Sequence, residues 1–489
     1  MLKKITVLVS GLFVAHLAHA SGYHFGTQSV TAQSTANSSA AEAADATTIF
    51  SNPAGLAKLD SDQITASLNL VAPHIRYSDA KATYRDNSFR TNAPITTDSK
   101  GNAAETSGKI TKDVVAAPHI YGAHKINDDV TVGLGVYVPF ASSTEYSKNS
   151  VLRHHLNQLG LTTVAVEPVV SFKINPQHAV GVGAIAQYSS AELRKYADWD
   201  ATGSVSVVAG RDVTGKADGH AKVKGNDWGF GYQLGWLWDI NDQTRVGVNY
   251  RSKVEHNLKG TADWYADGPA VATANPNPLL GGKSLYDAVI GQPTTINKGT
   301  PLEGRGYVPH EKASVKIVTP ESLSVHGMYK ATDKLNLFGD VTWTRHSRFN
   351  RAELVFENEK NIGSGKKSDR TIITPNWRNT YKVAFGGSYQ YSEPLQLRAG
   401  IAFDQSPVRG ASSRLNTLPD GNRIWYSIGA KYQPAKNHVF DVAYSHIHIN
   451  DTTFSAAAST GDNVDSKGTG SAKFNNYANI VGLQYTYKF

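Results

Sequence analysis

Residues 476–489 read NYANIVGLQYTYKF. Tyr477, Asn479, Val481, Leu483, Tyr485, Tyr487 and Phe489 fall on one face of an extended chain. Asn476, Ala478, Ile480, Gly482, Gln484, Thr486 and Lys488 fall on the other. Period-2 alternation is the pattern of a β-strand with two unlike faces. The same alternation recurs upstream, with Leu395, Leu397, Ala399, Ile401 and Phe403 against Gln396, Arg398, Gly400, Ala402 and Asp404. Leu335, Leu337, Val341 and Trp343 alternate with Asn336, Asp340 and Thr342, although Phe338 breaks the rule by sitting on the polar face. A water-soluble antiparallel sheet would read the same way, so the connections between strands decide the fold.

Those connections alternate between short and long. The short ones are Asn127-Asp128-Asp129, Asn175-Pro176-Gln177, Asn241-Asp242-Gln243, Thr332-Asp333-Lys334, Ser392-Glu393-Pro394 and Pro434–Asn437. Each carries Asn or Asp that bonds its own backbone, or Pro that presets φ. Between them lie long polar segments near 78–113, 143–163, 197–221, 263–311, 357–371, 408–420 and 451–474. Six short turns and seven long loops imply fourteen strands, with both chain ends on the short-turn side. This is the signature of a bacterial outer-membrane barrel. Closure follows from the solvent: hydrocarbon satisfies no backbone N–H or C=O, so an open sheet edge is not viable there. Tyr250, Trp343, Tyr389, Tyr391, Trp425 and Tyr487 are candidates for interfacial aromatic girdles, although some such residues belong to lumen or loops.

The start of the chain is different. Lys3 and Lys4 precede an apolar run, Ile5–Leu17, and Ala18-His19-Ala20 supplies small residues for cleavage. Residues 1–20 therefore read as a signal peptide. Residues 21–61 are crowded with Ala, Ser and Thr and lack alternation. They read as a plug, or hatch, inside a barrel formed by residues 62–489. Nothing after residue 20 approaches the roughly 20 consecutive apolar residues of a helical span. The 489 residues include no Cys, which excludes disulfides and thiolate chemistry. The net charge of +8 falls to about +6 without Lys3 and Lys4. The basic residues scatter through loops, which favours an anionic outer surface of lipid and lipopolysaccharide over nucleic acid as the partner.

Proline is normally excluded from paired strands because it donates no ladder hydrogen bond. Three consecutive strands nevertheless carry Pro118, Pro139 and Pro168 at similar depth. Singly, each would mark a bulge or a strand start. Together they indicate a weakened ladder around Val138-Pro139-Phe140-Ala141, able to open sideways into the membrane. Such an opening serves a lipid-like solute rather than a polar one.

Several segments resemble one family from end to end. They include Ser21-Gly22-Tyr23, Asn52-Pro53-Ala54-Gly55-Leu56, Gly225–Gly231 (GNDWGFG), Tyr250-Arg251-Ser252, Pro320-Glu321-Ser322, Gly400–Val408 (GIAFDQSPV) and Pro419–Arg423 (PDGNR). The whole mature chain is similar to the FadL family of outer-membrane transporters for long-chain fatty acids and hydrocarbons, TodX-type channels included. The resemblance implies a fourteen-stranded barrel with an N-terminal hatch that works as a monomer and is not an enzyme. It also implies a route: capture in an outer groove, binding inside the barrel, a hatch shift, and exit beside a kinked third strand at Val138–Ala141. Tyr23 and Lys195 fall on the family's carboxylate-holding positions, and Asn52, Pro53 and Ala54 on its hatch motif. A second basic position does not transfer cleanly, because Phe349-Asn350-Arg351-Ala352-Glu353 carries an acid; Arg348 is on the inward face. The C-terminal Phe489 resembles the signal read by the outer-membrane assembly machinery.

Other constellations are weaker. Gly363-Ser364-Gly365-Lys366-Lys367 lacks the spacing of a phosphate loop. His446 and His448 share strand parity but have no evident third metal ligand, and His154-His155 is another loop pair. No metal or cofactor is expected. Leu279, Leu280, Leu285, Tyr286, Val289 and Ile290 form an apolar set unusual for a solvated loop and read as part of a landing groove, with a short helix over 284–290. An open diffusion porin and a surface adhesin or receptor are the competing classes. The first would want an open polar lumen and no plug; the second could coexist with transport.

Overall fold

A computed structural model describes residues 26–201, 203–266, 268–271, 307–363, 366–459, 463–464 and 467–489. Fourteen antiparallel strands close into a barrel. They are β1 (Gln63–Ala82), β2 (Val115–Lys125), β3 (Val130–Tyr137 and Ala141–Glu145), β4 (Leu156–Lys173), β5 (His178–Asp198), β6 (Asp218–Asp239) and β7 (Thr244–Arg251 and Val254–Tyr265). The second half is β8 (His310–Thr319 and Ser322–Lys330), β9 (Leu335–Thr344 and Ala352–Gly363), β10 (Lys366–Ile373 and Thr380–Gln390), β11 (Leu395–Asp404), β12 (Arg423–Ala435), β13 (His438–Ala456) and β14 (Gly470–Lys488). The barrel closes where β1 meets β14, from Gln63↔Lys488 to Ala82↔Gly470.

The short turns form as their chemistry requires. The side-chain oxygens of Asn127, Asn175 and Asn241 each accept two backbone N–H groups of the following residues, at 2.8–2.9 Å. On the other side several strands run well past the 9–11 residues that span a bilayer. β5 has 21 residues and β6 has 22. Segments that read as loops, such as 357–371 and the start of 451–474, are largely paired strand. Their outward faces are polar because they stand above the hydrocarbon, so alternation fades while the backbone ladder continues.

Outward residues such as Val182, Phe230, Val341, Phe385, Ile401 and Leu483 are exposed to the surroundings. Tyr389 and Tyr391 join them, whereas Trp425 is fully buried inside the barrel. Phe338 faces inward for a specific reason: it packs with Met328 against Ala41 of the hatch. The apolar residue on the polar face is a plug contact.

The ladder between β2 and β3 is interrupted. The β2–β3 ladder runs from Lys125↔Thr131 and stops at Ile120↔Val136. Above it, Val115–His119 keep their pairing with β1 but are not in the β3 ladder, and the Val138 N–H donates to His119 Nδ1 at 3.3 Å. Ala141–Glu145 pair with β4, and the Glu145 N–H donates to the Ile110 carbonyl at 2.8 Å. The β3–β4 register passes from Tyr137↔Ala165 to Ala141↔Thr162, so β3 holds one extra residue at Val138-Pro139-Phe140. That is a β-bulge, which bends the strand away from its other neighbour. The β4–β5 ladder also skips Glu167 and Pro168. Pro118 keeps its place in the β1 ladder, opposite Leu68.

Candidate functional site: two cavities above and beside the hatch

The hatch comprises short helical turns at Val30–Gln33, Ala40–Glu42, Thr48–Ser51 and Pro53–Lys58. Its small residues let it lie against the wall. At Gly400 a Cβ would stand 2.2 Å from the carbonyl carbon of Thr35, and at Gly181 2.4 Å from the backbone nitrogen of Ala54. Only glycine permits these approaches. Polar contacts fix the fit. Arg398 donates to both carboxylate oxygens of Glu42 at 2.8 and 2.7 Å. Gln484 donates to Thr31 and Asp45, both at 2.9 Å.

The motif Asn52-Pro53-Ala54 is an anchor. The Asn52 side chain accepts from Ala54 N at 3.1 Å, capping the turn that Pro53 begins. Its amide nitrogen donates to the carbonyls of Trp236 and Val248 at 3.0 and 3.3 Å and lies 2.9 Å from His326 Nε2. The opposite end of the hatch touches the broken wall. Gln28 donates to the carbonyl of Val138 at 3.3 Å, and its own carbonyl accepts from the Tyr121 hydroxyl at 2.9 Å.

Above the hatch lies a cavity of about 300 Å³, at the small end of small-molecule pockets. Its apolar lining includes Leu156, Leu193, Val223, Trp264, Phe356 and Leu415. Lys195, Arg194, Arg414, His155 and Lys467 also line it, and among the described residues no Asp or Glu does. Lys195 is placed by register opposite Leu156 on β4 and Ala221 on β6, above the bilayer. Burial, with Lys467 and Arg85 adding repulsion, pushes its ammonium well below the ordinary lysine value. Burial lowers Lys467 as well. An arriving anion would relieve both effects.

Beneath this cavity, Phe140, Leu161, Trp377, Val408 and Leu418 form an apolar septum, with Phe349 and Leu415 packed against it. The loop carrying Val408 and Leu418 is folded inward by its own polar bonds. Ser406 donates from its hydroxyl to Asp420 and from its N–H to Asn422, both at 2.9 Å. Below the septum a second cavity of about 140 Å³ is lined by Gln28 and Phe50 of the hatch, Pro139 and Phe140 of the bulge, and Arg251, Asp340 and Lys382 of the wall. Arg251 is fully engaged: it donates to Gln233 at 2.7 Å, pairs with Glu167 at 3.4 Å, bonds the Tyr137 hydroxyl and stacks on Phe50.

Of the residues singled out from sequence, Lys195 lines the upper cavity, Pro139 and Phe140 line the lower one, and Val138 and Ala141 face an apolar lumen cluster with Val115, Ala117, Ile447 and Ile480. Tyr23 and the apolar set at 279–290 lie outside the described residues. Arg348 donates to Glu321 at 2.9 and 2.7 Å and lines neither cavity. Lys467 had no sequence signal, because it sits in a polar stretch between β13 and β14 that has no strand parity to orient it.

Comparison with known proteins agrees with this architecture. Residues 11–489 match the family described as outer membrane protein transport protein (OMPP1/FadL/TodX). An outer membrane protein of Neisseria meningitidis serogroup B is 60% identical over 497 residues, covering 100% of this chain and 99% of that one. The long-chain fatty acid transport protein of Escherichia coli O6:H1 is 24% identical, over 68% of this chain and 69% of its own. Among solved structures, a Pseudomonas aeruginosa FadL homologue superposes with a TM-score of 0.77 at 22% identity, covering 96% and 100% of the two chains. The Pseudomonas putida toluene transporter TodX gives 0.61 at 16%, covering 91% and 94%. The chain belongs to the OMPP1/FadL/TodX family, whose members are transport channels rather than enzymes, and is an outer-membrane barrel for the passage of hydrophobic compounds.

Proposed function

We propose that the cargo is a long-chain fatty acid, held by its carboxylate at Lys195 and Lys467 in the upper cavity and released sideways at the β3 bulge. The observation that carries this reading is the upper cavity itself. Its walls are largely apolar, and the basic side chains of Lys195 and Lys467 line it. An uncharged hydrocarbon would gain nothing from those cations. A carboxylate gains charge-assisted hydrogen bonds in a partly desolvated site. The missing β2–β3 pairing supports the lateral exit. The contact of Gln28 with Val138 supports a hatch whose movement is felt at the bulge.

The test is equilibrium binding of oleate and of methyl oleate to the purified chain. Lys195→Met is expected to weaken oleate binding by about tenfold, the value of one charge-assisted hydrogen bond, and to leave methyl oleate nearly unchanged. Equal loss for both ligands would argue against a carboxylate partner.

A pH series gives an independent check. Because the Lys195 ammonium is held below its ordinary value, raising the pH through that lowered value removes the charge that attracts the carboxylate. Oleate affinity is therefore expected to fall as the pH rises through that value, while methyl oleate affinity stays flat. In Lys195→Met that pH dependence should be reduced. A flat oleate profile in the unsubstituted chain would contradict the assignment.

A further inference from the structure

The lower cavity contains a feature that the upper site does not explain. Lys382, on β10, lines it beside Pro139 and Phe140. Its Nζ lies over the Trp425 ring, 4.9 Å from the centroid, and Trp425 is fully buried. Among the described residues nothing gives this ammonium a hydrogen bond or an ion pair within 4 Å. The acid in the same cavity, Asp340, is occupied: it accepts from the Thr342 hydroxyl at 2.7 Å, and its other oxygen is 3.8 Å from His326 Nδ1. Arg251 across the cavity is paired with Glu167. Asp404, opposite Lys382 in the β10–β11 ladder, and Asp340 attract the ammonium from beyond 4 Å, and Asp404 is shared with Arg423; a cation held only at that range and by an indole face gains most from an anion that reaches it directly.

The geometry points to a second carboxylate subsite at Lys382, occupied by the head group of the cargo on its way out. This rests on the fatty acid reading above. The volume decides what fits: at about 140 Å³ the lower cavity has less than half the volume of the upper one, about 300 Å³. That holds a carboxylate and the first methylenes, not a long acyl chain. With the head at Lys382, the chain must lie elsewhere. The neighbouring apolar surfaces are the septum around Phe140 and the cluster of Val115, Ala117, Val138 and Ala141 behind the part of β2 outside the β3 ladder. The head is therefore retained by Lys382 while the tail enters the wall break, and it leaves last. A cation at this point keeps the carboxylate charged and held until the tail has entered lipid, so the molecule cannot slip back through the septum.

The experiment compares binding to the purified chain with uptake by cells that lack their own fatty acid transporter and express the full chain. The probes are oleate and methyl oleate. Lys382→Met is expected to bind oleate within about twofold of the unsubstituted chain, because the upper cavity is intact. It should take up oleate at least about tenfold more slowly, the loss of one charge-assisted bond. Methyl oleate uptake should be unaffected, and Lys382→Arg should restore most oleate uptake. Retained oleate binding shows that the variant folds; Lys382→Gln serves if Lys382→Met does not assemble. Undiminished oleate uptake in Lys382→Met, or equal slowing of both probes, would overturn the subsite while leaving the upper site standing. Failure of the unsubstituted chain to bind oleate would overturn the fatty acid reading, and the subsite with it.

Discussion

Deleting Pro139 is expected to stop most uptake while leaving ligand binding intact. Four steps along β3, from Tyr137 to Ala141, face three along β4, from Ala165 to Thr162. Removing one residue brings the two strands back into a single register. It also removes the residue that cannot donate to a ladder. The upper half of β3 can then continue the pairing that now stops at Ile120↔Val136 and cover Val115–Ala117. Each restored backbone hydrogen bond contributes about 1 kcal/mol in water, and breaking it inside hydrocarbon costs more. Sealing even two such bonds raises the barrier to opening enough to slow exit by at least about tenfold. Oleate binding to the purified variant is the folding control, since the upper cavity draws no residue from the bulge. Initial rates of oleate uptake give the answer. A rate equal to that of the unsubstituted chain would sink the lateral exit.

Gly400→Val is expected to unseat the hatch without disturbing the wall. The added Cβ would stand 2.2 Å from the carbonyl carbon of Thr35 and 2.3 Å from its oxygen. Both are backbone atoms, so no rotamer change relieves the clash. Gly400 itself is held on both sides, by Gly386 on β10 and Ser427 on β12. The hatch, with no ladder of its own, must give way. A barrel whose plug has shifted should conduct ions, so planar-bilayer conductance is expected to rise severalfold while the barrel stays resistant to unfolding by detergent at room temperature. Conductance unchanged from the unsubstituted chain would mean that the hatch does not seal the lumen at this height.

Much of this was legible in the sequence, for identifiable reasons. Alternation in segments such as Leu395–Asp404 is imposed by the boundary between lipid and lumen, so parity reports orientation directly. Asn127, Asn175 and Asn241 announce turns because their side chains make the turn's own hydrogen bonds. Pro139 marked the bulge because a missing N–H is a local property. The upper extensions of β5, β6, β13 and β14 were not legible, since water on one side erases the apolar stripe that reveals a strand. Nor were Lys467 and Lys382 as cavity residues. Lys467 belongs to an irregular segment, and Lys382 becomes meaningful only when Trp425 and the bulge, distant in sequence, converge on one cavity. Phe338 looked like an exception to the pattern until Ala41 of the hatch supplied its contact.

The central claim is that this barrel carries an amphiphile with an anionic head and an apolar tail. The most direct measurement is comparative uptake of labelled oleate and labelled toluene by a transporter-deficient host expressing the full chain. The account predicts rapid, saturable oleate uptake that depends on Lys195, with toluene entering no faster than in cells without the chain. Uptake of toluene with no uptake of oleate would contradict it and would make the cations of the upper cavity incidental to transport.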